Sequence, residues 1–263
     1  MKKRINSDLV KHLQWVAGST PPVNPSSAKI PDFNGASFSL SDEADFWRIS
    51  GVPYKGTFEL VDLSKSLLDE SEAHTQDEWA AHYIDATSND EFYTPDFPLI
   101  YGIVKALYGA HDKVAETATV QNFLRTESRA RWLMTLSRIA YKPTGNDLIS
   151  HNYGTPDKYE QEVDFITPDE KIINTSKPDS YQTLLGTPDS VQDINAVFHW
   201  LNGTDTFAWK INSKPSVLEE RVARFGANSG SAYLDCYWDA GNRDASLGVR
   251  VIRRAGATTR GSA

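Results

Sequence analysis

The chain has 263 residues, of which 40% are apolar and 11% aromatic, enough to bury a sizeable core in one large domain or two small ones. Acidic residues (35) outnumber basic ones (27), so the net charge is −8, and the basic residues are scattered except at 2–4 and 250–254. Binding a phosphate backbone requires a dense cationic face. We therefore expect no nucleic-acid partner.

The N-terminus opens MKKR, but INSDLVKHLQ follows, with charges and amides where a secretion signal has an apolar stretch. No run of about 18 apolar residues occurs, as a membrane-spanning helix requires. The single cysteine, Cys236, excludes an internal disulfide and a multi-cysteine metal site. We expect no ordinary secretion signal and no membrane insertion. The localisation is otherwise not predicted: the chain would be cytoplasmic, or would reach a virion or cell surface by another route.

Helical patterns are predicted through the first half of the chain. A short helix at about 7–17 precedes a Pro- and Ser-rich loop at 19–36. Apolar residues recur at three- and four-residue steps from about 57 to 84, broken near 71–75, which predicts amphipathic helices. A further helix is predicted from about Thr94 to Gly109, and the longest periodic segment, 113–141, is also interpreted as a helix.

The second half of the sequence is predicted to contain a long loop, a short helix and several strands. Residues 142–180 are dense in Pro, Asp and Asn and predict a long surface loop, and a short helix follows from about Ser190 to Gly203. Short β-like segments then lie at 205–211, 221–226, 231–239 and 246–254, separated by turns. Helices followed by a small antiparallel sheet predict an α+β fold.

The stretch SAYLDCYWD at 231–239 carries two unlike faces if it is a strand, because side chains alternate. The even positions are all apolar: Ala232, Leu234, Cys236 and Trp238. The odd positions are Ser231, Tyr233, Asp235, Tyr237 and Asp239. Two aromatic rings among a hydroxyl and two carboxylates exceed what solubility requires, so we predict an exposed binding face on the odd side and a buried even side.

Catalytic and metal motifs are absent from the sequence: there is no nucleophile elbow, P-loop or HExxH pattern. His74 and His82, with Asp77 and Glu78, form the least implausible metal cluster, but the histidines are eight residues apart. We predict no catalytic residue, no metal and no cofactor. An enzyme acting on a small polar substrate through Asp235, Asp239, His199 or His151 remains an alternative, although the two carboxylates lie about 13 Å apart on a strand.

Residues 221–254, RVARFGANSGSAYLDCYWDAGNRDASLGVRVIRR, resemble the C-terminal half of a C-type lectin fold. More narrowly, they are similar to the variable proteins of diversity-generating retroelements, of an archaeal or viral type. The resemblance implies one C-type lectin-like domain over 1–254 with N-terminal and mid-chain insertions, a variable region at about 205–254, and a disordered tail at 255–263. Neither the calcium-binding loops of sugar-binding lectins nor the cysteine pair of formylglycine-generating enzymes is present.

The same resemblance implies a hypervariable surface, because variable positions in that system descend mainly from Asn codons altered at adenines. Trp238 and Trp209 are unreachable from such codons and are expected to be scaffold. The predicted ligand-binding residues are Phe207, Ala227, Asn228, Ser229, Ser231, Tyr233, Asp235, Tyr237, Asp239, Ala240 and Asn242.

The predicted function is that of a receptor-like protein rather than an enzyme. It would display diversifiable side chains on a rigid scaffold and bind a macromolecule, expected to be a protein, without metal. A structural assembly protein is the other alternative. The ligand and the oligomeric state are not predicted.

Overall fold

The computed structural model describes residues 37–252. The helix predicted at about 7–17 and the tail predicted at 255–263 lie outside these residues. The strands are β1 (Leu40–Asp42), β2 (Phe46–Tyr54), β3 (Thr57–Leu67), β4 (Leu133–Tyr141), β5 (Asp147–His151), β6 (Tyr159–Val163), β7 (Glu170–Lys171), β8 (Thr206–Trp209), β9 (Glu219–Ala227), β10 (Ala232–Asp239) and β11 (Leu247–Val251). The helices are α1 (Gln76–Asn89), α2 (Phe97–Ala110), α3 (Thr117–Ala130), α4 (Pro178–Leu185) and α5 (Val191–Asn202).

The strands form two sheets. A four-stranded sheet has the order β1-β2-β3-β11, so the last strand pairs with a strand from the start of the described chain. The second sheet has the order β6-β5-β4-β9-β10-β8-β7, and β8 runs parallel to β10. The α+β class is confirmed, but the predicted order is wrong, because three strands precede the first helix. The predicted small antiparallel sheet is also wrong, because β8 runs parallel to β10 and β11 belongs to the other sheet.

Residues 57–67 are strand β3 rather than the predicted helix. Val61 and Leu63 are fully buried and lie opposite Ile49 and Trp47 of β2. β11 pairs along the other edge of β3. A strand bonded on both sides is favoured by its sheet partners over any helical spacing of its leucines.

The predicted helix over 113–141 is instead helix α3 followed by strand β4. β4 lies between β5 and β9, and all but one of its residues are buried. Burial on both faces removes the alternation that identifies a half-exposed strand. The predicted surface loop at 142–180 is also wrong, because it contains β5, β6, β7 and the start of α4. Its polar strand β6 is an edge strand, open to water on one side.

Three helices lie where the sequence predicts them. The second part of the helical pattern at 57–84 is α1, which Thr75 caps. α2 is capped by Asp96, whose carboxylate accepts a hydrogen bond from Leu99 N at 3.0 Å. α5 is capped by Ser190 and ends at Gly203 with φ 80°, a left-handed conformation that glycine adopts without strain. The core lies between these helices and the two sheets: Phe198 of α5 packs against Phe225 of β9 with ring centroids 5.4 Å apart.

Within 37–252, no helix combines the length and the apolar character needed to cross a membrane.

Candidate functional site

A β-bulge divides strand β10 and changes which side chains share a face. Asp235 lies opposite Arg224 of β9, whereas Trp238 lies opposite Val222, so three steps along β10 match two along β9. One extra residue reverses the alternation beyond it. Trp238 therefore lies on the face of Asp235, not with Leu234, and the prediction that it belongs to the apolar face is wrong. It is half-buried.

The bulge also separates the two tyrosines predicted to lie together. Asp239 lies opposite Arg221, pairs with it at 3.0 Å, and the Arg221 guanidinium lies 5.4 Å from the centroid of the Tyr237 ring. Arg221 is an odd number of positions from Arg224, so its side chain leaves the opposite face of β9. The predicted odd face is thus split, with Tyr233 on one side of the sheet and Tyr237 on the other.

Burial along β10 confirms part of the predicted pattern. Ala232, Leu234 and Cys236 are fully buried. Tyr237 is 53% exposed, and Asp239 is exposed. Asp235 is only 5% exposed, so the prediction that it is displayed to a ligand is wrong.

Arg224 explains the burial of Asp235. Its guanidinium carbon lies 3.2 Å from the centroid of the Trp238 ring and 4.1 Å from that of Trp132. Nε of Arg224 donates to Asp235 Oδ2 at 2.8 Å, and Nη1 donates to Asp244 Oδ2 at 3.2 Å. Two stacking rings and two carboxylates fix this buried cation. Burial raises the pKa of Asp244, and Arg224 opposes that effect.

Four rings form a group around Tyr233, beside this buried arginine. They are Trp132, Phe207, Trp209 and Tyr233, which we call the aromatic cluster. The Tyr233 centroid lies 5.8 Å from that of Trp132, 6.3 Å from Phe207 and 6.1 Å from Trp209. Trp209 is 46% exposed and the other three are half-buried. The cluster therefore presents a continuous aromatic surface.

Strand pairing explains how these rings come together. β8 runs parallel to β10, with Phe207 beside Tyr233 and Trp209 beside Asp235, so both rings of β8 share the face of Tyr233. Trp132 packs directly on Gly226, where an added Cβ would lie 2.5 Å from the indole Cε3. Only a glycine leaves room for the ring at this distance.

A tight turn at 228–231 borders the aromatic cluster. The Asn228 amide donates to Tyr233 Oη at 2.9 Å, and its Oδ1 accepts from the backbone N–H groups of Gly230 and Ser231 at 2.7 and 3.0 Å. Asn202, at the end of α5, donates to the Asn228 carbonyl at 3.1 Å. The turn and the tyrosine hydroxyl are therefore held in place by the scaffold.

The structure brings together some of the predicted site residues but not all. Phe207, Asn228 and Tyr233 are linked by ring contact and hydrogen bond, and Ala227, Ser229 and Ser231 belong to the same end of the β9–β10 hairpin. Asp235 is buried, Tyr237 lies in the bulge, and three residues lie beyond it: Asp239, Ala240 and Asn242. The last of these closes a turn by donating from its backbone N–H to the Asp239 carbonyl at 3.1 Å.

At the end of β8 lies an open groove of about 450 Å³, referred to below as the groove. It is lined by Asp169, Trp209, Lys210, Ile211, Asn212, Ser213, Pro215, Glu219 and Tyr237. Trp209 thus belongs both to the aromatic cluster and to the groove.

Four residues were considered from the sequence as a possible enzyme site, and each contacts a different partner: His151, His199, Asp235 and Asp239. His151 is fully buried between Ser137 Oγ at 2.9 Å and the Thr183 carbonyl at 3.1 Å, and burial lowers its pKa to about 4. His199 lies 3.5 Å from Asp205. With Asp235 on Arg224 and Asp239 on Arg221, these four groups are not assembled into one site.

The structure does not assemble the metal cluster considered from the sequence, which consists of His74, His82, Asp77 and Glu78. His74 Nε2 lies 2.6 Å from Asp69 Oδ2. Across 37–252, no group of three or more His, Cys, Asp or Glu side chains is arranged to hold a metal ion.

Sequence reasoning missed Trp132 and Arg224 altogether and assigned Trp209 to the scaffold. Trp132 lay inside a segment predicted to be helical, which concealed its place at the start of a central strand. The pairing of β8 with β10 is parallel, which no local sequence signal indicated. The chain matches none of the family models, curated proteins or solved structures with which it was compared.

Proposed function

We propose that this chain binds a protein through the aromatic cluster and the 228–231 turn, without metal and without catalysis. The observation that carries this proposal is the contact of three partly exposed rings with the ring of Tyr233 on one surface. Soluble proteins rarely leave such a contiguous apolar patch open to water unless a partner covers it. Trp and Tyr are also the residues that most often dominate binding energy at protein interfaces.

Contacts with neighbouring residues hold the rings of the aromatic cluster in fixed positions, which favours binding by a rigid surface. Trp132 is fixed between Gly226 and Arg224, and Tyr233 is held by Asn228. Side chains that are already ordered lose less conformational entropy when a partner binds. A preorganised aromatic surface is therefore suited to specific recognition of a macromolecule.

We further propose a C-type lectin-like scaffold of the kind found in variable proteins of diversity-generating retroelements. The pairing of β11 with β3, which joins the two ends of the described chain in one sheet, is compatible with that fold. Asn228, Ser229, Ser231 and Tyr233 are exposed or half-buried and carry residue types reachable from altered Asn codons. The unreachable tryptophans, Trp132 and Trp209, would supply constant contact area beside them.

Site-specific photocrosslinking tests the proposal even while the ligand is unidentified. A benzoylphenylalanine at position 229, on the exposed turn, is expected to capture one protein from extracts of the source cells or their hosts. The matched control carries the same group at position 58, where Phe58 is 49% exposed in the other sheet.

The outcome is read against a second variant and a chelator. Tyr233→Ala is expected to abolish the adduct at position 229, whereas excess EDTA leaves it unchanged. Equal capture from positions 229 and 58, or an adduct that survives Tyr233→Ala, would overturn the assignment of this surface.

A further inference from the structure

The groove differs from the aromatic cluster in both shape and charge. Trp209 and Tyr237, 46% and 53% exposed, leave opposite faces of the sheet, and both line the groove. The groove is accessible to both because β8 ends at Trp209 and, within 37–252, leaves the edge of β10 unpaired beyond Asp235. Two carboxylates, Asp169 and Glu219, also line it. Aromatic faces beside carboxylates are the surroundings that favour an organic cation.

The cations near the groove are already neutralised. Arg221 is held by Glu219 at 2.7 Å and Asp239 at 3.0 Å. The Lys210 side chain is fully buried, pairs with Glu170 at 3.3 Å and donates to Tyr181 Oη at 2.8 Å. Lys214 pairs with Asp147 at 2.8 Å. None of the three presents a free positive charge to the groove.

Asp169 differs from Glu219, the other carboxylate of the groove, because it has no cationic side chain as a partner among the described residues. It is exposed, its Oδ1 accepts from Lys210 N at 2.9 Å, and within 37–252 no Lys or Arg side chain forms an ion pair with it. Because Glu219 and Asp239 together bring two negative charges to the single charge of Arg221, the rim remains net negative. An anionic ligand is disfavoured here and a cationic one is favoured.

We propose that the groove binds the guanidinium group of an arginine side chain from a partner protein. A guanidinium is planar, stacks on aromatic faces and is weakly hydrated, so it suits Trp209 and Tyr237 better than an ammonium does. The chain already contains the same contact: the Arg221 guanidinium lies 5.4 Å from the centroid of the Tyr237 ring. Asp169 would be the counter-ion of the bound group.

The test uses a free probe, Nα-acetyl-arginine amide, titrated into the full chain and followed by the indole N–H resonance of Trp209. Nα-acetyl-citrulline amide is the matched control, because it has nearly the same shape without the charge. We expect saturable shifts with the arginine probe and at least about fivefold weaker binding of the citrulline probe.

Variants localise the effect. Asp169→Asn keeps an oxygen for the Lys210 N–H and is expected to weaken the arginine probe about fivefold, and Tyr237→Leu to weaken it by a similar factor. Phe58→Leu, a half-exposed ring in the other sheet, is expected to leave the affinity unchanged.

Equal affinity for the arginine and citrulline probes, or an unchanged affinity for the arginine probe in Asp169→Asn, would overturn this inference. Its failure is distinguishable from failure of the proposed function, because the probe titration needs no macromolecular ligand and the crosslink at position 229 needs no groove.

Discussion

The Arg224 guanidinium is clamped against the Trp238 ring, with its central carbon 3.2 Å from the ring centroid. This contact joins the two sides of the bulge, because Arg224 lies opposite Asp235 while Trp238 lies beyond the extra residue. Trp238, which strict strand alternation assigns to the core, therefore packs on Arg224 and holds its guanidinium in place.

The buried ion pair predicts that Asp235 is not freely replaceable. Asp235→Ala leaves Arg224 without its closest carboxylate in a buried setting, so we expect the free energy of unfolding to fall by about 3–5 kcal/mol. Asp239→Ala, an exposed partner of Arg221, is expected to change it by no more than about 1 kcal/mol. Urea denaturation of both variants measures the difference. Equal losses would contradict a structural role for Asp235.

The close packing of Trp132 on Gly226 predicts that the glycine is required. In Gly226→Ala the new methyl group would lie 2.5 Å from Trp132 Cε3, so the ring must move, at a cost of about 1–3 kcal/mol. Gly241→Ala is the matched control, since an added Cβ there meets nothing within 4 Å. Thermal melts and near-ultraviolet circular dichroism report both effects. An unchanged spectrum and melting temperature in Gly226→Ala would show that Trp132 is not held there.

The buried His151 predicts a loss of stability in acid. Burial lowers its pKa in the folded state to about 4, from 6.5, so the unfolded chain takes up a proton first as the pH falls. The stabilising contribution is full above pH 6.5 and is lost between there and pH 4, by roughly 3 kcal/mol. Asp96 acts in the opposite direction, because burial raises its pKa to about 6 and its contribution is lost as the pH rises through that value.

The variant His151→Gln isolates the histidine from Asp96. Between pH 6.5 and pH 4, its free energy of unfolding is expected to fall less steeply with acidification than that of the wild-type chain. Urea denaturation at a series of pH values measures both slopes. Parallel slopes would mean that His151 titrates normally in the folded protein.

The sequence predicted those elements whose signals are local. Ser190 and Gly203 mark the two ends of α5, and the alternation in 231–235 placed Leu234 inside and Tyr233 outside. These features depend on capping, turn chemistry and a two-residue period, which a single sequence reveals.

The errors arose where long-range pairing decides the structure. β4 is buried between neighbours, so its residues lack the alternation that marks a strand. β3 does alternate, with Val61 and Leu63 beside Asp62 and Ser64, and the three- and four-residue spacing of its leucines was wrongly preferred. The bulge at Cys236 and Tyr237 depends on pairing with β9, and a shift of one residue moved Trp238 to the other face. The aromatic cluster is assembled from β8, β10 and the residue that precedes β4, so no local pattern predicts it.

The measurement that tests the central claim most directly is the sequence of this gene in many sibling isolates. A diversified binding surface predicts amino-acid substitutions concentrated at exposed or half-buried positions such as Asn228, Ser229, Ser231 and Tyr233, with none at the buried Arg224 and Asp235. Substitutions spread evenly along the chain, or as frequent at Asp235 as at Tyr233, would contradict the account.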